Sequence, residues 1–308
     1  MSHVSVPCGD LEESKLFYAE VMGGTLVHEI QGFVEYRIED IIIGLSEQVD
    51  GWTDPADEYP HYAFYIDGPD FDLMKKRLDL CGVPNYPYRR DETALMYFRD
   101  PSGNLLELYC NSGYDGIASL PAAPRRGGPA IDFGSFNYRW NGERAARGIV
   151  NSLQPPRFKA FAHFSIYCRD LQQAKRFFTN VIGGELIHDV KDSTTGFAEV
   201  RVAGIIIGFT DRPGKMTGRN AEYPHYAFFV EPEDFLPMVA WLRQNGVTTS
   251  EPWTRDGIKG LLYFRDPAGN LFEMYCPNLK EAASFVRGAK QRGSYAIDFA
   301  GLNYDWKG

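Results

Sequence analysis

The sequence predicts an α+β fold built from four βαβββ modules, each a strand, a helix and three more strands, arranged as two tandem domains. Three observations carry this prediction. First, the chain of 308 residues contains itself twice: its six histidines form the pairs His3/His163, His28/His188 and His61/His225, at offsets of 160, 160 and 164. Asp10/Asp170, Gly23-Gly24/Gly183-Gly184, Tyr97/Tyr263, Glu107/Glu273 and Cys110/Cys276 repeat likewise, the last three pairs at an offset of 166. Second, each copy holds two rounds of a strand, a helix and further short strands. Third, each copy joins its last two strands through the same turn, Asp100-Pro-Ser-Gly-Asn104 and Asp266-Pro-Ala-Gly-Asn270. Offsets that grow by a few residues at a time are those of small loop insertions in a genuine repeat.

The elements follow in order. His3–Val6 alternates as a short strand. Asp10 is placed to cap a helix over 11–22, with Glu13 at the third helical position; Asp170 and Gln173 are the mates. Gly23-Gly24 stops that helix. Strands follow at Thr25–Ile30, Phe33–Ile38 and Ile41–Leu45. The pattern restarts with a strand at His61–Ile66, a helix at Phe71–Leu80 ending near Gly82, and strands at Tyr86–Arg89, Ala94–Phe98 and Leu105–Cys110. Matched tails, Ile131–Trp140 and Ile297–Trp306, show that the repeat unit is the whole copy. The expected layout is a first domain over 1–142, a linker over 143–157 rich in turn-forming residues, and a second domain over 158–308.

Composition narrows the function classes. A formal charge of −9 without a basic stripe argues against a nucleic-acid or membrane-surface partner, and the Arg125-Arg126 and Lys159 regions are too sparse to change this. Five cysteines, none in a Cys-x-x-Cys pair, and no apparent secretory signal fit a reducing cytoplasm. Aromatic residues make up 14% of the chain, which suits aromatic-lined cavities or large aromatic cores.

Strand alternation then places the chemistry. His3 shares a face with Ser5, His61 with Ala63 and Tyr65, and Glu107 with Leu105 and Tyr109; His163, His225 and Glu273 repeat the pattern. A carboxylate inside an apolar strand is costly to bury without a partner. Two imidazoles and one carboxylate supply three ligands to a divalent ion and leave positions open, the donor set of non-haem Fe(II) oxygenases, which also suits Mn(II) or catalytic Zn(II). The alternative is structural, with strand histidines and a glutamate paired to an arginine such as Arg37.

With these residues in view, the chain resembles the vicinal oxygen chelate superfamily, which includes glyoxalase I, fosfomycin- and bleomycin-resistance proteins and extradiol dioxygenases. The resemblance rests on Glu58-Tyr-Pro-His61-Tyr-Ala-Phe64, Glu222-Tyr-Pro-His225-Tyr-Ala-Phe228, and the stretches Tyr97–Glu107 and Tyr263–Glu273. It implies two tandem glyoxalase-like domains with curled mixed sheets around metal cavities. It also implies metal ligands His3, His61 and Glu107 and, in the other site, His163, His225 and Glu273. Modules of one copy would close on each other, or exchange so that His3 joins His225 and Glu273 while His163 joins His61 and Glu107. Gly44 and Gly208 stand where glyoxalase I supplies a fourth ligand, which points toward open three-ligand sites.

By that resemblance the chain is most like the two-domain extradiol dioxygenases. The expected reaction is ring cleavage of a catecholic substrate by dioxygen with Fe(II), or with Mn(II) or Zn(II). Tyr263 would orient substrate, and His188 is the candidate for proton transfer. Trp253–Leu262 and Gly204–Gly208 lack the histidines those enzymes usually carry. The rivals are an oxygen-independent lyase, isomerase or thiol transferase, and a protein that sequesters an aromatic compound. Arg37/Arg201, Arg99/Arg265 and Tyr59/Tyr223 would hold substrate or solvate strand ends. The expected partners are a small aromatic substrate, dioxygen and further copies of the chain.

Overall fold

The computed structural model describes residues 1–48, 57–111, 113–123, 131–135, 153–191, 196–212, 214, 218, 221–279, 287–289, 297–302 and 306. Most of the expected linker, the Asn137–Trp140 and Asn303–Asp305 parts of the tails, and Arg125-Arg126 lie outside these residues.

The four modules form as expected. The first is β1 (His3–Cys8), α1 (Leu11–Leu16), β2 (Thr25–Ile30), β3 (Phe33–Ile38) and β4 (Ile41–Glu47). The second is β5 (His61–Ile66), α2 (Gly68–Cys81), β6 (Asn85–Arg90), β7 (Thr93–Arg99) and β8 (Leu105–Cys110). The third is β9 (Phe158–Tyr167), α3 (Leu171–Arg176), β10 (Glu185–Lys191), β11 (Gly196–Val202) and β12 (Ile205–Thr210). The fourth is β13 (His225–Phe229), α4 (Pro232–Gln244), β14 (Trp253–Arg255), β15 (Lys259–Arg265) and β16 (Leu271–Cys276), with β17 (Arg287–Ala289) after it. None of the described helices is long and apolar enough to cross a membrane.

Local chemistry explains the boundaries. Asp10 Oδ1 accepts from the Glu13 amide and Asp170 Oδ1 from the Gln173 amide, each at 2.9 Å, so both caps are real. The helix read over 11–22 is not uniform: after Leu16 it widens into a π-helical turn over Phe17–Val21, and its repeat mate does so over Phe177–Val181. The wider ring closes through Met22 N–H to Phe17 O and Gly24 N–H to Tyr18 O, and it keeps Phe17, Tyr18 and Val21 buried. Gly23 ends it at φ +71°, and Gly183 ends the mate at +79°. The following glycine is needed for close approach, because a Cβ on Gly184 would lie 2.3 Å from Val200 Cγ1.

The described chain forms two compact units, Met1–Ser5 with Ile166–Gly308, and Val6–Ser165. In the first unit one ladder runs β17-β14-β15-β16-β13-β1, and another runs from the end of β9 through β12 and β11 to β10. In the second unit the ladder β6-β7-β8-β5-β9 is joined by one from the end of β1 through β4 and β3 to β2. The sheets are mixed: β5 pairs with β8, and β13 with β16, in parallel, whereas β1 meets β13 and β5 meets β9 in antiparallel register. In each unit, therefore, the leading strand of one repeat joins the site strands of the other.

The Asp-Pro turns hold the ends of these strands. Asp100 Oδ1 accepts from the Ser102 and Asn104 amides, and Oδ2 from Asn104 Nδ2 and the Tyr18 hydroxyl. Asn104 Nδ2 also donates to Pro7 O at 3.0 Å, tying the turn to β1; Asn270 does the same to Tyr167 O at 2.9 Å. Both aspartates are buried, and burial raises each to about 6 against the pull of these hydrogen bonds.

Candidate metal centre

Register brings the site residues into rows. His3 lies opposite Ala227, and Ala227 lies opposite Glu273. In the other unit His163 lies opposite Ala63, and Ala63 opposite Glu107. His225 and His61 sit two residues before those alanines on the same faces. Adjacent strands stand roughly 4.8 Å apart, so the histidine and glutamate of each row meet by reaching across a residue with almost no side chain.

The result is two near-identical triads. His3 Nε2, His225 Nε2 and Glu273 Oε2 are separated by 3.4, 3.3 and 3.5 Å, the histidine pair first and His3 to Glu273 last. His61 Nε2 and His163 Nε2 are 3.3 Å apart and lie 3.5 and 3.0 Å from Glu107 Oε2. Both triads use the exchanged pairing, which decides between the two alternatives left open by the sequence. Among the described residues each cluster has three members, with no fourth protein donor.

The donors fit a cation. His61 Nδ1 and His225 Nδ1 each stand 3.0 Å from a backbone carbonyl, Glu58 O and Glu222 O, which only accepts. Each Nδ1 therefore carries the proton, and each Nε2 lone pair faces the partner imidazole and a carboxylate. Burial drives His61 down to about 4 despite the opposing charge of Glu107, so this ring is neutral at pH 7. Burial alone would raise Glu273, but the charge and hydrogen bond of His3, then His225 and Arg255, bring it to about 2. Glu107 is lowered in the same way, with His163 the main opponent of burial. A carboxylate held ionised beside two imidazole nitrogens is a position where positive charge is favoured, whether protons or a bound ion carry it. Donor separations of 3.0–3.5 Å match ligands sharing one ion at about 2.0–2.2 Å. Glu273 Oε1 is moreover buried without a hydrogen-bond partner among the described residues.

Aromatic rings surround each triad. Tyr263 meets His225 edge-on at 5.6 Å and Tyr97 meets His61 at 5.5 Å. Tyr275 meets His3 at 5.5 Å and Tyr109 meets His163 at 5.9 Å. His3 and His163 are the triad members with most exposure, 13% and 14% of the side chain against 5% or less for the others, so solvent reaches each triad from that side. The described parts of the tails lie against this aromatic face: Phe299 packs on Tyr263 and Phe133 on Tyr97, both at 5.4 Å.

Other expected residues lie elsewhere. His188 sits on β10, at the edge of the other ladder of its unit, with its ring 6.5 Å from Phe197. Arg99 and Arg265 are buried braces that donate to Gly103 O and Gly269 O. Arg37 is exposed, and Arg201 donates to Glu185 on the surface. Sequence reading put Ala63 on the face of His61 without giving it or Ala227 a part in the site, and it missed Arg90 and Arg255, whose charges bear on Glu107 and Glu273. The repeated His-Tyr-Ala-Phe strings signalled the alanines. The arginines were signalled by alternation from Tyr88 and Trp253.

The family model described as Glyoxalase/Bleomycin resistance protein/Dioxygenase superfamily matches residues 1–108 and 160–274. The chain belongs to this superfamily. Its members are metal-dependent enzymes, dioxygenases and transferases among them. A glutathione transferase FosA from Serratia marcescens is 30% identical over 129 residues, 41% of this chain and 92% of the relative. A metapyrocatechase from Pseudomonas sp. (strain CF600) is 26% identical over 186 residues, 58% of this chain but only 52% of the relative. In fold, the superfamily member resembles a proposed dioxygenase from Bacillus subtilis, with a TM-score of 0.63 at 18% identity over 93% of this chain and 90% of the other. It also resembles a glyoxalase I mutant from Zea mays, with a TM-score of 0.59 at 14% identity over 89% and 92%.

Proposed function

We propose that this protein is an extradiol-type ring-cleavage dioxygenase acting on a catecholic aromatic substrate, with Fe(II) held by His163, His61 and Glu107 and by His3, His225 and Glu273. The observation that carries the reading is an open set of two imidazoles and one carboxylate inside a wall of aromatic rings. Fe(II) in such a set supplies Lewis acidity toward the diol and the redox chemistry that dioxygen needs; Mn(II) and Zn(II) suit the same donors.

The remaining work falls to the chain. The two imidazoles and the glutamate of each triad would hold the ion. The Tyr97 phenol is kept protonated, since burial and then the charge of Glu107 raise it well above its ordinary value. It is therefore a neutral polar group beside the triad, hydrogen-bonded to Tyr88, and Tyr263 occupies the same position in the other site. The rings of Tyr109 and Tyr275 stack against a planar substrate on the accessible side, and the tail residues Phe133 and Phe299 cover the tyrosines and exclude water.

One observation favours a second reading, thiol transfer without dioxygen: the similarity to FosA spans nearly the whole of that relative, and no further histidine joins either triad among the described residues. Protein loaded with Fe(II) under anaerobic conditions is to be tested with a panel of catechols in an oxygen electrode. Oxygen uptake equimolar with loss of catechol is expected. No uptake with any catechol, together with oxygen-independent turnover of a thiol and an epoxide, would transfer the conclusion to the second reading.

A further inference from the structure

We propose that Arg90 and Arg255 are substrate-recognition residues that make each site select an aromatic compound carrying a carboxylate beside its metal-binding oxygens. The proposal rests on the catecholic reading above and adds the substrate class.

The two arginines are equivalent by register, although the chain offset hides it. Tyr88 lies opposite Leu95 and Arg90 opposite Thr93; Trp253 lies opposite Leu261 and Arg255 opposite Lys259. The turn beyond each is one residue longer in the second copy, so Arg90 and Arg255 fall at an offset of 165 instead of 166.

Alternation puts each arginine on the face that carries the triad. Tyr88 stacks on Tyr97 at 5.8 Å, and Tyr97 touches His61. The charge of Arg90 acts on Glu107, Tyr97 and Tyr109, and that of Arg255 on Glu273. Tyr109 lies beside His163, the triad member most open to solvent, and the charge of Arg90 acts on that ring.

Neither guanidinium is used by the fold as other buried arginines are. Arg77, Arg99 and Arg265 each give at least one guanidinium N–H to a backbone carbonyl. The Nε atoms of Arg90 and Arg255 are buried without an acceptor, and among the described residues neither side chain has an ion-pair partner. Arg255 lies over the Trp253 ring at 5.5 Å instead. Leaving charged donors unmatched in a partly buried position is costly unless a ligand supplies the acceptors. The field agrees. A divalent ion on one glutamate and two neutral imidazoles leaves a net positive charge, and the arginine adds another. A carboxylate matches the planar guanidinium fork, while the diol oxygens address the ion.

The test uses the full chain loaded with Zn(II), which binds ligand without dioxygen chemistry. Calorimetry compares catechol, benzoate, 2,3-dihydroxybenzoate and 3,4-dihydroxybenzoate on the wild type, R90M/R255M and R90K/R255K. At least one dihydroxybenzoate is expected to bind roughly 10-fold or more tightly than catechol, as a charge-assisted pair implies. R90M/R255M is expected to lose that advantage, its dihydroxybenzoate affinity falling to no more than its own catechol affinity, and R90K/R255K to keep part of it. An advantage that is absent, or that survives in R90M/R255M, overturns the inference. The two readings separate cleanly. If dihydroxybenzoates bind no better than benzoate and catechol does not bind, the catecholic reading fails. Arginine-dependent binding of benzoate would then still uphold anion recognition, and no arginine-dependent binding of any of the acids would end it.

Discussion

At the scale of single residues, the site is governed by which nitrogen carries a proton. The carbonyls of Glu58 and Glu222 fix Nδ1–H on His61 and His225 and turn both Nε2 lone pairs inward. Burial then holds His61 neutral to about 4, whereas an unfolded histidine protonates near 6.5. Between those values the unfolded chain binds a proton that the native chain refuses, so the metal-free protein loses stability as pH falls through this window. Thermal melts of chelator-treated protein between pH 7 and 4 are expected to show the midpoint falling on acidification, and the His61→Gln variant a shallower fall. The imidazoles, the glutamates and Tyr263 were legible because each recurs in the second copy at a matched strand position. Arg90 and Arg255 were not, because a one-residue difference in turn length takes them out of the common offset.

At the scale of elements, the decisive feature is a small residue in the middle of a row. Ala63 and Ala227 are fully buried, between a histidine on one neighbouring strand and a glutamate on the other. A larger side chain there would occupy the space over which the donors meet. The Ala227→Leu variant is therefore expected to lose the ion held by His3, His225 and Glu273 without losing a ligand, and to be destabilised by about 1–3 kcal/mol through overpacking. Metal analysis after dialysis should fall from two ions per chain to one, with the other triad unaffected; retention of both would show that the row tolerates bulk. The capped helices and the Asp-Pro turns were readable from local chemistry. The π-helical turns were not, because Phe17–Val21 has the same apolar spacing as an ordinary helix, and only the backbone hydrogen bonds reveal the wider ring.

At the scale of the whole molecule, duplication and exchange make each site a product of both repeats. The double variant His3→Ala with His225→Ala is expected to empty one triad and keep one ion per chain. The combination of His3→Ala with His61→Ala is expected to damage both triads and keep none. Pairing within each copy would give the opposite pattern, so metal counts on these two proteins test the exchange in solution. The sequence by itself determined the α+β class, the four modules, the identity of the six candidate ligands and the faces they occupy, because a repeat and a period of two are properties of the string. Which histidine meets which glutamate was decided only by tertiary structure. Pairing of β1 with β13 and of β9 with β5 depends on contacts between strands far apart in the chain, and either pairing leaves the same residues on the same faces.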